Sequence, residues 1–315
     1  MKHICSLPWV GFSNDPDGTV RACCISKDVV TKSDGTPYYT QKDSVKDIFH
    51  SEYMKQLRQD FLDGKRPTNC STCWKDEDTG YKSKRHIYNE IIEKMSGKLN
   101  YDEVPDFPHD YQIILTNACN LKCRSCGSSH STEWYRELKK MPESDMHKIG
   151  QRLYELPFGQ AGGTDSIFLN SIDEWLPHVR RVEVVGGEPF YTKHWENVWN
   201  KMIDSGKASE IELNMSTNAT IYNHELLVRL SENFKSVGFG ISVDGIGDIF
   251  NYLRKNGNWE DVKENILKFK KLKETYTNIH FNYTHTTSWI NAYNLPDFHN
   301  WVITHTPDFT TWLNI

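Results

Sequence analysis

The sequence predicts an α/β fold, a partial (β/α)6 TIM-type barrel that follows a small N-terminal α+β domain. Strand-like segments alternate with helical ones from residue 110 onward, and six such strands can be counted. Alternation of this kind predicts parallel strands joined by right-handed crossovers. Five of the eight cysteines lie in a separate N-terminal part. We therefore expect a small domain over residues 1–96, a linker over 97–109 and the barrel over 110–315.

Each predicted strand is a short run rich in β-branched and aromatic residues, and helical periodicity follows most of these runs. The six strands are predicted over residues 111–116, 181–185, 210–215, 237–243, 279–284 and 310–315. Between the first two lies a long polar segment, residues 139–178, which we expect to be a surface loop, with an active-site lid as the alternative. The sequence stops inside the sixth strand without a covering helix, which predicts a C-terminally truncated barrel.

Three cysteines follow the first predicted strand on one short loop: Cys119, Cys123 and Cys126. Cluster irons take four thiolate-type ligands, so three cysteines leave one iron of a 4Fe-4S cluster open to an exogenous ligand. A zinc site is the alternative, with His130 as its nearby fourth ligand. In a TIM-type barrel, the loops after the strands form the active face, where this loop falls.

A glycine-rich segment follows the second predicted strand, where bare backbone suits close approach to a small polar ligand. It consists of Gly186, Gly187, Glu188 and Pro189. Together with the cysteine triplet, in this order, the segment resembles the radical S-adenosylmethionine (SAM) superfamily.

That resemblance implies that Cys119, Cys123 and Cys126 bind a 4Fe-4S cluster whose open iron is chelated by the amino and carboxylate groups of SAM. The motif from Gly186 to Pro189 would contact the methionine amino group. Reductive cleavage of SAM would then yield a 5′-deoxyadenosyl radical that abstracts hydrogen from an unactivated C–H bond, in a peptide or a small molecule. A flavodoxin or ferredoxin would supply the electron.

The resemblance also suggests ligand-binding roles for polar residues at two further strand ends. Ser216 and Asn218 follow the third strand, and Ser242 and Asp244 follow the fourth. Their short side chains can hydrogen-bond a ribose or the methionine head group. Arg254 resembles an arginine that pairs with the methionine carboxylate, a task that suits its planar fork. The alternative is that Asn218 and Asp244 only form turns and that Arg254 is a surface residue.

The N-terminal domain carries a second cysteine set. A turn at Gly18 predicts a hairpin that returns one cysteine beside another, and a helix is predicted over residues 44–62. The set resembles the twitch module, a relative of the SPASM module, which implies a second, auxiliary 4Fe-4S cluster. The ligands would be Cys5, Cys23, Cys70 and Cys73. Cys24 is left over, either as a substitute for Cys23 or as a small buried residue, and a four-thiolate zinc knuckle is the structural alternative.

The composition disfavours nucleic-acid and membrane partners and favours a cytoplasmic location. With 37 Lys and Arg against 42 Asp and Glu, the net charge is −5, which gives no basic field for nucleic acid. No apolar run approaches the roughly 20 residues needed to span a bilayer, and the N-terminal residues lack a signal-peptide core. We expect a cytoplasmic enzyme with no membrane or nucleic-acid partner. The rival hypothesis is a non-catalytic zinc or iron-sulfur binding protein.

Overall fold

The computed structural model describes residues 3–148 and 166–314, and these residues form ten strands. The strands are β1 (Gly11–Asn14), β2 (Val20–Arg21), β3 (Asp110–Ile113), β4 (Lys122–Cys123), β5 (Arg181–Val184), β6 (Glu212–Thr217), β7 (Ser236–Ser242), β8 (Arg254–Lys255), β9 (Ile279–Thr286) and β10 (Thr310–Asn314). All six predicted strands are present, as β3, β5, β6, β7, β9 and β10, so the predicted α/β fold is confirmed.

Fourteen α-helices occur in the described residues, joined in places by short 3-10 turns. They are α1 (Leu7–Val10), α2 (Val45–Phe49), α3 (Glu52–Leu62), α4 (Ser71–Asp78), α5 (Lys84–Ser96), α6 (Thr132–Leu138), α7 (Glu143–Lys148), α8 (Ile167–Asn170), α9 (Ile172–Trp175), α10 (Lys193–Asp204), α11 (His224–Asn233), α12 (Gly247–Leu253), α13 (Trp259–Thr275) and α14 (Leu295–His305). No helix in the described part of the chain is long and apolar enough to cross a membrane.

The chain divides into two compact units, and the first combines residues 1–114 with 161–183. In this unit β1 pairs antiparallel with β2 and parallel with β3. The β1–β2 connection turns at Gly18, which adopts a left-handed φ of 85°, so the predicted hairpin is confirmed. Strand β3 and most of β5 belong to this unit, and the predicted domain boundaries at residues 96 and 110 remain a prediction.

The second unit combines residues 115–160 with 184–315. Its strands β6, β7, β9 and β10 pair in that order, and every pairing is parallel. Buried and less buried residues alternate along β7 and β9, as expected for strands with one covered face. Helix α13 covers these strands: its Phe269 ring lies 5.5 Å from both Phe239 of β7 and Phe281 of β9. Parallel pairing brings the carboxyl ends of the strands to one edge.

Two sequence expectations are adjusted. The helix predicted over residues 44–62 is two helices, α2 and α3, because the Ser51 side chain accepts a hydrogen bond from the Met54 N–H and caps a new helix there. The predicted surface loop or lid at residues 139–178 lies partly outside the described residues. Its described ends contain α7, α8 and α9.

Candidate radical SAM site and auxiliary cysteine site

The loop between β3 and α6 carries the cysteine triplet and is held by side chains on both sides. Cys123 lies in β4, opposite Arg254 in the antiparallel pair that β4 forms with β8. The indole Nε1–H of Trp134 donates to the Cys123 carbonyl at 2.7 Å. Thr132 bonds both the N–H and the carbonyl of Cys119, at 3.2 and 3.1 Å. Tertiary contacts therefore fix the loop that carries the three thiols.

The three thiols lie close enough to influence one another electrostatically. Burial, with smaller contributions from the charges of Glu188, Cys123 and Cys126, raises the pKa of Cys119 to about 12. Burial and Cys123 likewise raise the pKa of Cys126 to about 11. Burial also raises the pKa of Cys123, against the opposing charge of Arg254. Three thiolates at this place need a compensating positive charge, which a metal centre supplies.

A cavity of about 360 Å³ opens beside the thiols, within the range of roughly 300–1,000 Å³ that is typical of small-molecule sites. Nine of the candidate site residues line it: Cys119, Cys123, Cys126, Gly186, Gly187, Ser216, Asn218, Ser242 and Arg254. His130, the alternative fourth ligand, lines the same cavity. The remaining candidates of this site, Glu188, Pro189 and Asp244, are buried and are not among the lining residues.

The glycine loop after β5 packs directly on the cysteine loop. Gly186 and Gly187 both have left-handed φ angles, 81° and 61°. A Cβ atom added to Gly187 would lie 2.5 Å from the Ala118 carbonyl oxygen. The N–H of Glu188 donates to that same oxygen at 2.8 Å. Only glycine allows this backbone approach, which leaves the loop backbone accessible to a ligand in the cavity.

Glu188 holds the glycine loop to the end of β6. Its carboxylate accepts from the Asn218 N–H at 2.7 Å and from the Thr217 hydroxyl at 2.8 Å. Burial raises the pKa of Glu188 to about 7, although these two donors and the Phe190 N–H act in the opposite direction. The Glu188 side chain therefore stabilises the wall of the cavity through hydrogen bonds to other protein groups.

A ring of polar side chains links Asn218 to the cysteine loop. Asn218 Nδ2 donates to Asn120 Oδ1 at 3.0 Å and lies 3.8 Å from Cys119 Sγ. The Thr220 hydroxyl donates to Asn218 Oδ1 at 2.6 Å and accepts from Asn120 Nδ2 at 2.8 Å. Neither Asn120 nor Thr220 was a candidate from the sequence. The only available signal for Asn120 was its polar side chain inside the cysteine run.

Asp244 and Arg254 form a buried ion pair beside the thiols. Arg254 Nη2 lies 2.8 Å from Asp244 Oδ2, and Arg254 Nη1 lies 3.8 Å from Cys123 Sγ. The other Asp244 oxygen accepts from the Thr286 N–H at 2.9 Å. Arg254 Nε is buried and has no hydrogen-bond partner within the described residues. Arg254 is thus no surface residue, and its guanidinium keeps a donor for an anionic ligand.

The second cysteine set gathers in the first unit. Burial raises the pKa of the Cys5 thiol well above its ordinary value, and the charges of Cys23, Cys70 and Cys73 raise it further. Burial is also the main cause that raises the pKa of Cys23 to about 11 and that of Cys70 to about 12. The four candidate ligands therefore lie within electrostatic reach of one another.

Cys24 differs from the other four cysteines of this unit. Its side chain is exposed, and its Sγ lies 2.6 Å from Lys84 Nζ. Cys24 is therefore not the small buried residue that was expected, and its contact with Lys84 lies at the surface.

Within residues 3–148 and 166–314, no three His, Cys, Asp or Glu side chains are grouped so that they could hold a single metal ion.

Comparisons with known proteins agree with both motif interpretations. The family model of the Radical SAM superfamily matches residues 113–291, and the SPASM model, an iron-sulfur cluster-binding domain, matches residues 5–74. The two resemblances inferred from the cysteine motifs are thereby confirmed. These families imply a 4Fe-4S cluster with SAM and an auxiliary iron-sulfur cluster as cofactors. No curated protein matches the chain.

Solved structures give a weaker likeness. Native anSMEcpe with bound AdoMet is 21% identical, with 66% of this chain and 52% of that chain covered and a TM-score of 0.41. SuiB from Streptococcus suis is 14% identical, with 84% and 52% covered and a TM-score of 0.42. The chain thus spans about half the length of these proteins, and nothing about its substrate follows from them.

The Radical SAM match covers more than half of the 315 residues and contains both the cysteine triplet and the glycine loop. In the structure these two motifs share one cavity with Arg254. On these grounds the chain belongs to the radical SAM superfamily.

Proposed function

We propose that this protein is a radical SAM enzyme that reductively cleaves SAM and abstracts hydrogen from an unactivated C–H bond. The substrate class that we propose is a peptide. The observation that carries the proposal is the single cavity that three thiols, a bare glycine loop and a buried arginine share. When bound, the 4Fe-4S cluster and SAM together supply a 5′-deoxyadenosyl radical.

The donor set at the cavity fits the cluster. Cys119, Cys123 and Cys126 are the proposed ligands, and as thiolates they would repel one another unless iron lay between them. Three ligands leave one iron corner without a protein ligand. Asn218 Nδ2 and Arg254 Nη1, each 3.8 Å from a thiol sulfur, would contribute weak N–H···S contacts that stabilise the thiolates.

Other residues that line the cavity fit the SAM head group. The backbone of Gly186 and Gly187 is open to a ligand amino group, since neither residue has a side chain. The Arg254 guanidinium, with Nε unpaired among the described residues, is the proposed partner of the carboxylate. The hydroxyl groups of Ser216 and Ser242 line the cavity and are the proposed partners of the ribose.

We assign Cys5, Cys23, Cys70 and Cys73 as ligands of the auxiliary cluster. Their mutual electrostatic effect supports the set, and the contact of Cys24 with Lys84 leaves Cys24 outside it. Four thiolates complete the coordination of a 4Fe-4S cluster, so this site has no open corner and suits electron transfer. An electron donor such as flavodoxin or ferredoxin, and a peptide as the substrate, are part of the same proposal.

The test is SAM cleavage by anaerobically reconstituted protein reduced with dithionite. We expect release of 5′-deoxyadenosine by the unaltered chain and no release by Cys126→Ala, because one cluster ligand is lost. Cys24→Ala is the matched control, since it removes a cysteine outside both ligand sets, and it should release as much as the unaltered chain.

Release that persists in Cys126→Ala would contradict the ligand assignment. Zinc without iron after anaerobic purification would instead support the rival, a non-catalytic zinc-binding protein. Elemental analysis separates these outcomes without any knowledge of the substrate.

A further inference from the structure

Asn291 is a fully buried side chain in the loop that follows β9, and its amide crosses to the loop that follows β7. Its Nδ2 donates to the main-chain carbonyls of Asp244 and Thr286, both at 2.8 Å. Its Oδ1 accepts from the N–H of Ser288 at 2.6 Å and from the Ser288 hydroxyl at 3.0 Å. Both amide hydrogens are thus used, and the amide fixes the main chain at Asp244.

Two protein donors hold Asp244, one at its main chain and one at its side chain. Asn291 binds its carbonyl oxygen, and the Thr286 N–H binds its carboxylate Oδ1 at 2.9 Å. Only Oδ2 is directed to a charged partner, Arg254 Nη2, at 2.8 Å. The side chain of Asp244 is 3% exposed, so its carboxylate is occupied by protein donors and not by solvent.

Arg254 is where this chain of bonds reaches the cavity. Its side chain is 9% exposed and lines the cavity beside the cysteine triplet. A free arginine side chain loses rotamer entropy when it binds an anion, so a fork that is oriented in advance binds the anion at lower cost. Asp244 supplies that orientation through one Nη atom and leaves Nε available.

We propose that Asn291 is a positioning residue that, through Asp244, orients Arg254 to bind the carboxylate of SAM. This inference rests on the proposed function and deepens it. In the described part of the chain Asn291 does not line the cavity and has no hydrogen bond to a thiol, so it can affect the ligand only through Asp244 and Arg254. Loss of its amide frees the main chain at Asp244, and the ion pair no longer holds the guanidinium in one direction.

The test compares two ligands, SAM and its decarboxylated analogue, on anaerobically reconstituted protein with the cluster oxidised so that no cleavage occurs. We expect Asn291→Ala to weaken binding of SAM roughly tenfold or more, the effect of about 1.4 kcal/mol. Binding of decarboxylated SAM should stay within about twofold, a free-energy change of less than about 0.5 kcal/mol, because that ligand has no carboxylate for Arg254. A purely structural role would weaken both ligands alike.

Two variants complete the test. Asp244→Asn keeps the main-chain contact with Asn291 but removes the charge that holds Arg254, so it should show the same selective loss. Asn294→Ala is the control in the same loop: Asn294 Oδ1 accepts from the Ile246 N–H at 2.8 Å, and no bond joins Asn294 to Asp244 in the described structure. It should leave the ratio of the two affinities unchanged. Iron content and melting temperature confirm that each variant is folded.

The outcomes separate this inference from the proposed function. If the unaltered chain binds neither ligand, the proposed function fails. If it prefers SAM over the decarboxylated analogue and Asn291→Ala keeps that preference, the role of Asn291 is refuted and the proposed function stands. Should Asn291→Ala fail to fold, Asn291→Ser is measured in its place, and an unchanged preference for SAM in that variant refutes the role of Asn291.

Discussion

Gly187 shows how one residue joins two parts of the site. Its φ of 61° is unfavourable for any residue with a side chain. The space where a Cβ would lie is filled by main-chain oxygens, those of Ala118 at 2.5 Å and Thr116 at 2.9 Å. Main-chain atoms next to the cysteine loop cannot move aside as the end of a flexible side chain can. The glycine is therefore required by contact as well as by conformation.

Gly187→Ala should destabilise the protein by on the order of 3 kcal/mol or more, because strain and a main-chain clash act together. Gly206→Ala is the matched control: Gly206 has a φ of 75°, but nothing lies within 4 Å of its Cβ position. That variant should lose only about 1 kcal/mol. Denaturant unfolding measures both. Equal losses would show that the contact with the cysteine loop contributes nothing.

At the scale of elements, a buried polar network joins α5, β3 and β5 in the first unit. Arg181 of β5 lies 2.8 Å from Asp110 of β3, across the strand pair. The hydroxyl of Tyr88, on α5, donates to Glu183 at 2.7 Å. Burial works against ionisation of Glu183, but the charges of Arg181 and Lys84, together with the hydrogen bonds from Tyr88 and Arg181, outweigh it and keep the pKa of this carboxyl below its ordinary value. Arg181 is thus the ion-pair partner that the buried Asp110 shares with the part-buried Glu183.

Arg181→Met should lower the free energy of unfolding by about 3–5 kcal/mol, since it removes the ion-pair partner of the buried Asp110 and of the part-buried Glu183. Tyr88→Phe removes a single hydrogen bond to the same network and should cost about 1–3 kcal/mol. Chemical denaturation of the two variants gives the comparison. A loss for Arg181→Met no larger than that for Tyr88→Phe would mean that the ion pair does not stabilise this unit.

At the scale of the whole molecule, the two cysteine sets belong to different units. Cys119, Cys123 and Cys126 lie in the second unit, and the N-terminal set lies in the first. No ligand is shared between the proposed sets, so each cluster is expected to assemble on its own thiols. The iron content of the protein should therefore be the sum of the iron that each of the two cluster sites binds independently.

Anaerobic reconstitution should load about eight iron atoms per chain, four for each cluster. Cys126→Ala and Cys70→Ala should each lose up to about half of this iron, since each removes a ligand of one proposed cluster. Cys24→Ala should retain all of it, because Lys84 and not the auxiliary site holds that thiol. Iron and sulfide analysis provides the measurement. Loss of iron in Cys24→Ala would make Cys24 a ligand after all.

Local patterns in the sequence predicted much of the fold. Alternating segments located all six barrel strands, since strand period and helix period are properties of short windows. The hairpin at Gly18 was predicted because a tight turn has its own residue preferences. The split at Ser51 was not, although serine is a good N-cap, because hydrophobic periodicity continues through both helices.

The sequence by itself determined the chemistry of this protein: three thiols on one loop, a glycine loop after the next strand, and a second cysteine set, each within a short stretch of chain. Only the tertiary structure decided how these parts meet. Arg254 lies 131 residues from Cys123, and Asn291 lies 47 residues from Asp244. The physical reason is that parallel pairing brings the ends of distant strands to one edge, whereas a local pattern contains no information about which distant side chains will share that edge.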